Sequence, residues 1–301
     1  MSSHDNAIAK TQETRGLLLG FLGVLCFSVS LPATRVAVRA FNPNFVSFGR
    51  AIVAALCAAA ALLLVRPPWP TAHQLGRLAF VSAGVVVGFP LFTGLALRTA
   101  PAGHGAVVIG VLPAATAGLS VLRSGERPSR RYWFFSGLGL VAIALLAVAR
   151  SNTAELARGD VYFLLAVVAA AVGYTEGGLL SRELGGWQTI SWSLLVALPV
   201  TVPFAIVGWK AFDGTANTNA WIAFAYLGLV SMFLGFFAWY AGLALGGIAR
   251  VSQVQLMQPL LSVTWAILFL HEEADLLLVG VAFVVLLAVA GSRKSAILAP
   301  K

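Results

Sequence analysis

Ten stretches of about 20 mostly apolar residues run through this chain, and no other feature constrains its folding as much. They lie near 16–36, 44–65, 74–98, 101–122, 132–150, 159–181, 187–208, 219–243, 248–270 and 275–292. Each is long enough to cross the hydrocarbon core of a bilayer as a helix. In lipid every backbone N–H and C=O must be bonded within the chain, which makes helices the expected form. Only 10% of the residues are charged, where a soluble domain carries about 25%. The surplus apolar surface exceeds what one protein core can bury, so the lipid bilayer is the expected partner. Residues 1–15 are polar and lack the apolar segment of a signal peptide; they read as a short tail.

Very short connections, such as Gly185-Gly186 and Gly246-Gly247, force neighbouring helices to run antiparallel. Ten crossings return the chain to its starting side. Thirteen of the 20 Lys and Arg then fall on the side of the termini and six on the other, with Arg50 inside the second run. This bias predicts a multi-pass protein of the bacterial cytoplasmic (inner) membrane with both termini in the cytosol. The net charge of +9 is explained the same way, and nucleic acid is not expected as a partner. Cys26 and Cys57 both lie inside apolar runs, so neither a disulfide nor a metal site is predicted.

The chain also repeats itself. Leu112-Pro113 and Gln258-Pro259 each precede a glutamate, Glu126 and Glu272, by the same thirteen residues, and Gly94-Leu95-Ala96-Leu97 returns as Gly242-Leu243-Ala244-Leu245. The chain divides into a tail (1–15), a first five-helix repeat (16–150), a second (151–292) and a C-terminal tail (293–301). Five is odd, so the copies enter the membrane from opposite sides. The predicted fold is an all-α membrane protein, ten transmembrane helices as two inverted five-helix repeats around a central cavity, the design of secondary transporters.

The two Pro-to-Glu spacings, together with Pro43 and Arg50 at the opening of the second helix, resemble the ten-helix EamA family of the drug/metabolite transporter superfamily. The resemblance covers about residues 16–292. Within the family the chain most resembles bacterial exporters of amino acids and aromatic metabolites, the YddG type. It implies a cavity lined by helices 1–4 and 6–9, helices 5 and 10 at the periphery, and alternating access for a small-molecule substrate. Those exporters carry aromatic and histidine side chains on helices 3 and 4. At the matching positions this chain has Phe89, Pro90, Thr93, Gly110 and Leu112, of which only Phe89 keeps a ring.

From the residues themselves, Pro113 and Pro259 each remove a backbone hydrogen bond in mid-span, and freed carbonyls in lipid face protein or a wet cavity. Ser252, Gln255, Gln258 and Ser262 are spaced to share one face of helix 9; amides there suit a zwitterion, or else bond helix to helix. Gln253 points elsewhere, as packing. Glu176, after Tyr174 and Thr175, is the acid clearly inside a span, a candidate for protons or cationic groups. Ser28 and Ser30 before Pro32, and Phe236, Trp239 and Tyr240 on helix 8, complete the candidate lining. Arg50 reads as structural, near the outer end of helix 2, where it can snorkel or cap a helix end. Substrate contact is thus expected from Ser28, Ser30, Phe89, Pro90, Thr93, Gly110, Pro113, Tyr174, Glu176, Trp239, Gln255, Gln258, Pro259 and Ser262.

No phosphate-binding loop is present, so ATP does not drive the chain directly, and no cofactor is expected. Lys occurs only at 10, 210, 294 and 301, which excludes a buried Schiff-base lysine, and no Ser–His pair shares a membrane depth as an intramembrane protease requires. The reading is a secondary exporter of small metabolites, amino acids first, and not an enzyme. An organic-cation or multidrug exporter using Glu176 and the aromatic residues of helix 8 is one alternative; a non-transporting scaffold or sensor is another. The sequence leaves both a monomer and a homodimer open.

Overall fold

A computed structural model describes residues 3–125, 127–150, 158–212 and 214–270, with scattered residues between 277 and 298. Among them, seven helices are long and apolar enough to span a membrane. These are α1 (Thr11–Ala40), α2 (Phe45–Val65), α3 (Ala72–Ala96), α6 (Gly159–Leu184), α7 (Gly186–Lys210), α8 (Thr218–Gly246) and α9 (Ile248–Leu270). The fourth apolar run is helical in two pieces, α4a (Ala102–Ile109) and α4b (Leu112–Ser124), and the fifth forms α5 (Arg130–Arg150). Most of the run 275–292, with Glu126 and Glu272, lies outside the described residues. Residues Arg127–Pro128 pair antiparallel with Ile297–Leu298, a short contact beside an otherwise helical fold.

Side chains such as Leu56, Leu63, Leu64 and Phe134 are largely exposed. A row of this kind facing water would be an aggregation surface; facing acyl chains it is the expected exterior. Small residues sit inside, where Ala51, Ala54, Ala55 and Ala58 give α2 a fully buried stripe that lets α7 lie close. The turns α6–α7 and α8–α9 are each one residue long, Gly185 and Gly247, at φ +87° and +84°. An L side chain costs about 1–2 kcal/mol there.

The packing has a two-part logic. α1 packs along α8, and α3 along α6; α4 packs on α6, and α9 on α1; α2 faces α7, and α4 faces α9. Exchanging helices 1–4 with 6–9 maps each of these pairs onto another or onto itself. Irregular turns follow the same correspondence. α3 and α8 each contain a wide π-helical stretch, Ser82–Gly88 and Leu227–Leu234, at nearly the displacement that separates Pro113 from Pro259.

Candidate functional site

Pro32, Pro113 and Pro259 each stand at an interruption of their span, whereas Pro199 and Pro203 lie within the continuous helix α7. Pro32 cannot donate to the carbonyl of Ser28, four residues earlier, and α1 is interrupted between Ser28 and Ser30. The freed Ser28 carbonyl is taken by the hydroxyl of Ser262, which donates at 2.6 Å, while the indole N–H of Trp265 donates to Ser28 Oγ at 2.9 Å. Pro113 follows the gap between α4a and α4b, and Pro259 follows a 3-10 turn at Gln253–Leu256. Both predicted proline sites are therefore real discontinuities, each on a helix that faces the other.

Beside these breaks lies a narrow pocket of about 20 Å³, lined among others by Ser30, Arg50, Phe89, Tyr174, Phe236 and Gln258. A tighter hollow, closed down to less than the size of a water, is lined by Gln255, Gln258, Pro259, Ser262, Leu31, Ala106 and Ile109 and shares Leu31 and Gln258 with it. Four of the eleven residues lining the first pocket are aromatic, and three of them, Phe27, Tyr174 and Phe236, pack ring on ring with Trp239 behind them, centroids 4.8–6.4 Å apart.

Arg50 is the fixed charge of this pocket. It is 3% exposed, and its Nε has no hydrogen-bond partner among the described residues. The expectation that Arg50 snorkels to the outer surface is not met. α2 begins with a π-helical turn at Phe45–Gly49, and the face that follows, from Arg50 through Ala54 and Ala58, is buried against neighbours. Among the described residues no carboxylate pairs with it, and a buried guanidinium without a countercharge is costly, so its place in a pocket is a chemical signal. Gln255 Oε1 is a second orphan, an acceptor without a donor among the described residues, although the Gln255 amide nitrogen donates to Gln258 Oε1 at 3.2 Å.

The other candidates are distributed as follows. Ser30, Phe89, Tyr174, Gln255, Gln258, Pro259 and Ser262 line the two hollows. Ser30 Oγ also lies 2.7 Å from Ser231 Oγ, linking α1 to α8. Ser28 is occupied by the α1–α9 bonds above. Thr93 donates to the Phe89 carbonyl at 2.8 Å, and Ser47 donates to the Pro90 carbonyl at 2.8 Å, so Pro90 and Thr93 hold α3 together beside the pocket. Gly110 and Pro113 are buried at the α4 break and Trp239 lies in the ring cluster; none of the three lines either hollow. Gln253 bonds Tyr132 and Ser136 of α5, the packing role expected of it.

Glu176 is outside the pocket. One carboxylate oxygen takes the guanidinium of Arg77 at 3.2 Å, and the other takes Arg123; Arg77 reaches on to Glu183 at 2.6 Å. These residues lie on the side where α6 ends and α3 begins. A carboxylate held by two guanidinium groups is a clamp between α3, α4b and α6. Sequence spacing cannot show this, because its partners are 99 and 53 residues away.

Gln258 and Gln253 give a paired test of this division. Gln258→Ala should weaken half-saturation of transport by roughly 2- to 12-fold, the effect of one neutral hydrogen bond of about 0.5–1.5 kcal/mol. Gln253→Ala should leave half-saturation unchanged and lower thermal stability instead, by loosening α5 from α9. If Gln253→Ala shifts half-saturation as much as Gln258→Ala does, the two hollows are not where substrate sits.

A model of the EamA-like transporter family matches residues 14–148 and again 157–293. The uncharacterized transporter YdeK of Bacillus subtilis (strain 168) is 43% identical over 285 residues, which is 95% of this chain and 99% of that protein. A probable terminal-alkyne amino-acid exporter of Streptantibioticus cattleyicolor is 26% identical over 264 residues, 86% of this chain and 87% of that one. One solved crystal structure superposes with a TM-score of 0.72 at 19% identity, covering 93% of this chain and 98% of the other; that likeness is one of fold.

Proposed function

Because the chain belongs to the EamA-like transporter family and is a multi-pass membrane transporter, we propose that it is a secondary carrier exporting small metabolites that bear a carboxylate, amino acids foremost. The observation that carries this reading is Arg50, a buried guanidinium with an unpaired Nε, set among Ser30, Tyr174 and Gln258. A substrate carboxylate supplies the missing countercharge. Gln255 Oε1, in the adjoining hollow, is an acceptor for an ammonium. The rings of Phe27, Phe89 and Phe236 suit an apolar side chain. The name of the Streptantibioticus relative points to the same substrate class.

The organic-cation alternative is disfavoured by the same charge. A cation entering the pocket meets Arg50, and the carboxylate it would need, Glu176, is engaged by two arginines elsewhere. Counterflow into liposomes tests the choice, with a panel of amino acids and organic cations as trans-side substrates. Exchange of amino acids supports the reading; exchange of organic cations alone overturns it.

The mode is alternating access between two inverted five-helix repeats, with both termini in the cytosol. Support comes from the exchangeable helix pairs, the paired π-helical stretches and the charge bias of the loops. In a chain freed of Cys26 and Cys57, a cysteine at Ser129, just before α5, should resist an impermeant maleimide applied to intact cells. Its labelling from outside would contradict this orientation.

A further inference from the structure

A further cavity, of about 390 Å³, opens between α3, α4b and α6, lined by Phe80, Leu119, Val172 and Thr175, with Arg123 and Glu176 beside them. It is separate from the pocket of Arg50 and shares no lining residue with it. Three features define what it can bind. Its walls are apolar. Its cation, Arg123, has a side chain 57% exposed, and among the described residues only its Nε is committed, to Glu176. Glu176 itself is 7% exposed and has a second partner in Arg77.

The second partner decides what can move. If Arg123 leaves Glu176, the buried carboxylate keeps Arg77 and no charge is stranded, so the step avoids the several kcal/mol that an unpaired buried ion costs. Arg123 stands near the end of α4b, and α4b is separated from α4a by the break at Gly110-Val111. Helix ends can absorb backbone rotation, so a swing of α4b would pivot there. The ion pair Arg123–Glu176 ties this half-helix to α6.

We propose that this cavity is an entry site for an amphipathic carboxylate, in which Arg123 receives the carboxylate and Glu176 occupies its place until the ligand arrives. The apolar body of the ligand lies on Phe80, Leu119 and Val172. Its carboxylate replaces Glu176 on Arg123, Glu176 remains with Arg77, and α4b is released from α6. No covalent bond changes; one ion pair is exchanged for another. The proposal takes its ligand class from the pocket reading above, but it is tested without transport.

Spin labels at Leu122→Cys on α4b and Leu75→Cys on α3, in the full chain with Cys26→Ala and Cys57→Ala, report the distance across the ion pair. The probes are L-phenylalanine and its decarboxylated analogue phenethylamine. L-Phenylalanine should shift the distribution to longer distance, and phenethylamine should not. Glu176→Gln and Arg123→Gln should each give the longer distance without any probe. Arg50→Gln should keep the response to L-phenylalanine, because Arg50 lies outside this cavity. Loss of the response in Arg50→Gln would overturn the entry site, placing the effective carboxylate contact in the pocket. An unshifted distance with L-phenylalanine, in a chain where Glu176→Gln does shift it, would also overturn it. A failed counterflow screen, by contrast, would sink the pocket reading and leave this response standing.

Discussion

Arg50→Gln should raise the half-saturation concentration for amino-acid counterflow by roughly 10- to 150-fold, the loss of a charge-assisted hydrogen bond of about 1.5–3 kcal/mol. The same substitution should make the empty protein more stable. Arg50 is buried with its Nε unpaired, and a desolvated charge without a counter-ion opposes folding. Replacing it with a neutral side chain of similar reach removes that penalty. Function and stability are then expected to move in opposite directions, as at sites where strain serves binding. Arg50→Lys should fall between, since an ammonium keeps the charge but cannot present two parallel donors to a carboxylate. The measurements are counterflow kinetics and thermal unfolding of the purified empty carrier. A drop in stability together with transport would show that Arg50 braces the fold, and unchanged transport would remove it from the site.

Arg50 also marks where the sequence stopped being informative. In one dimension it stands a few residues into α2, a depth from which a long side chain ordinarily reaches the surface. Its burial comes from the rotation of α2 against α7 and α8, set by the π-helical turn at Phe45–Gly49 and by contacts far along the chain. Glu176 shows the same limit. Its position inside an apolar run flagged it, but the two arginines that define its role come from other helices. What was legible was local. The discontinuities at Pro113 and Pro259 follow from a missing N–H, and the shared face of Gln255, Gln258 and Ser262 follows from helical spacing. Even there tertiary contacts intervene. Ser252 of the same stripe turns to the Ala249 carbonyl at 2.9 Å, and Ser262 spends its hydroxyl on the Ser28 carbonyl. The spans were legible for a different reason: the absence of water in the bilayer leaves a chain of this composition few alternatives to helices.

Gly242→Ala should destabilise the carrier by about 3 kcal/mol, at the upper end of what an added methyl in a packed core costs. A Cβ at Gly242 would lie 2.7 Å from the Gly20 nitrogen and 2.8 Å from the Gly16 carbonyl oxygen. Both are backbone atoms of α1, so no side chain can swing aside and the two helices must separate. In lipid, helix pairs are held by close backbone approach rather than by a hydrophobic drive, and separation forfeits that contact along the whole crossing. The corresponding pair behaves alike, for a Cβ at Gly84 of α3 would lie 2.5 Å from the Ala169 carbonyl oxygen and 2.8 Å from the Gly173 nitrogen of α6. Gly118→Ala supplies the control. It lies within α4b with nothing within 4 Å of the new methyl, and relief from glycine's backbone freedom should stabilise the helix by about 0.5–1 kcal/mol. One chemical change thus has opposite signs at two glycines, according to whether another backbone stands against it. Thermal unfolding in detergent should show Gly242→Ala and Gly84→Ala well below the parent and Gly118→Ala at or above it. If Gly242→Ala unfolds with the parent, the α1–α8 crossing is looser than a backbone-to-backbone contact, and the two pairs cannot move as rigid units during alternating access.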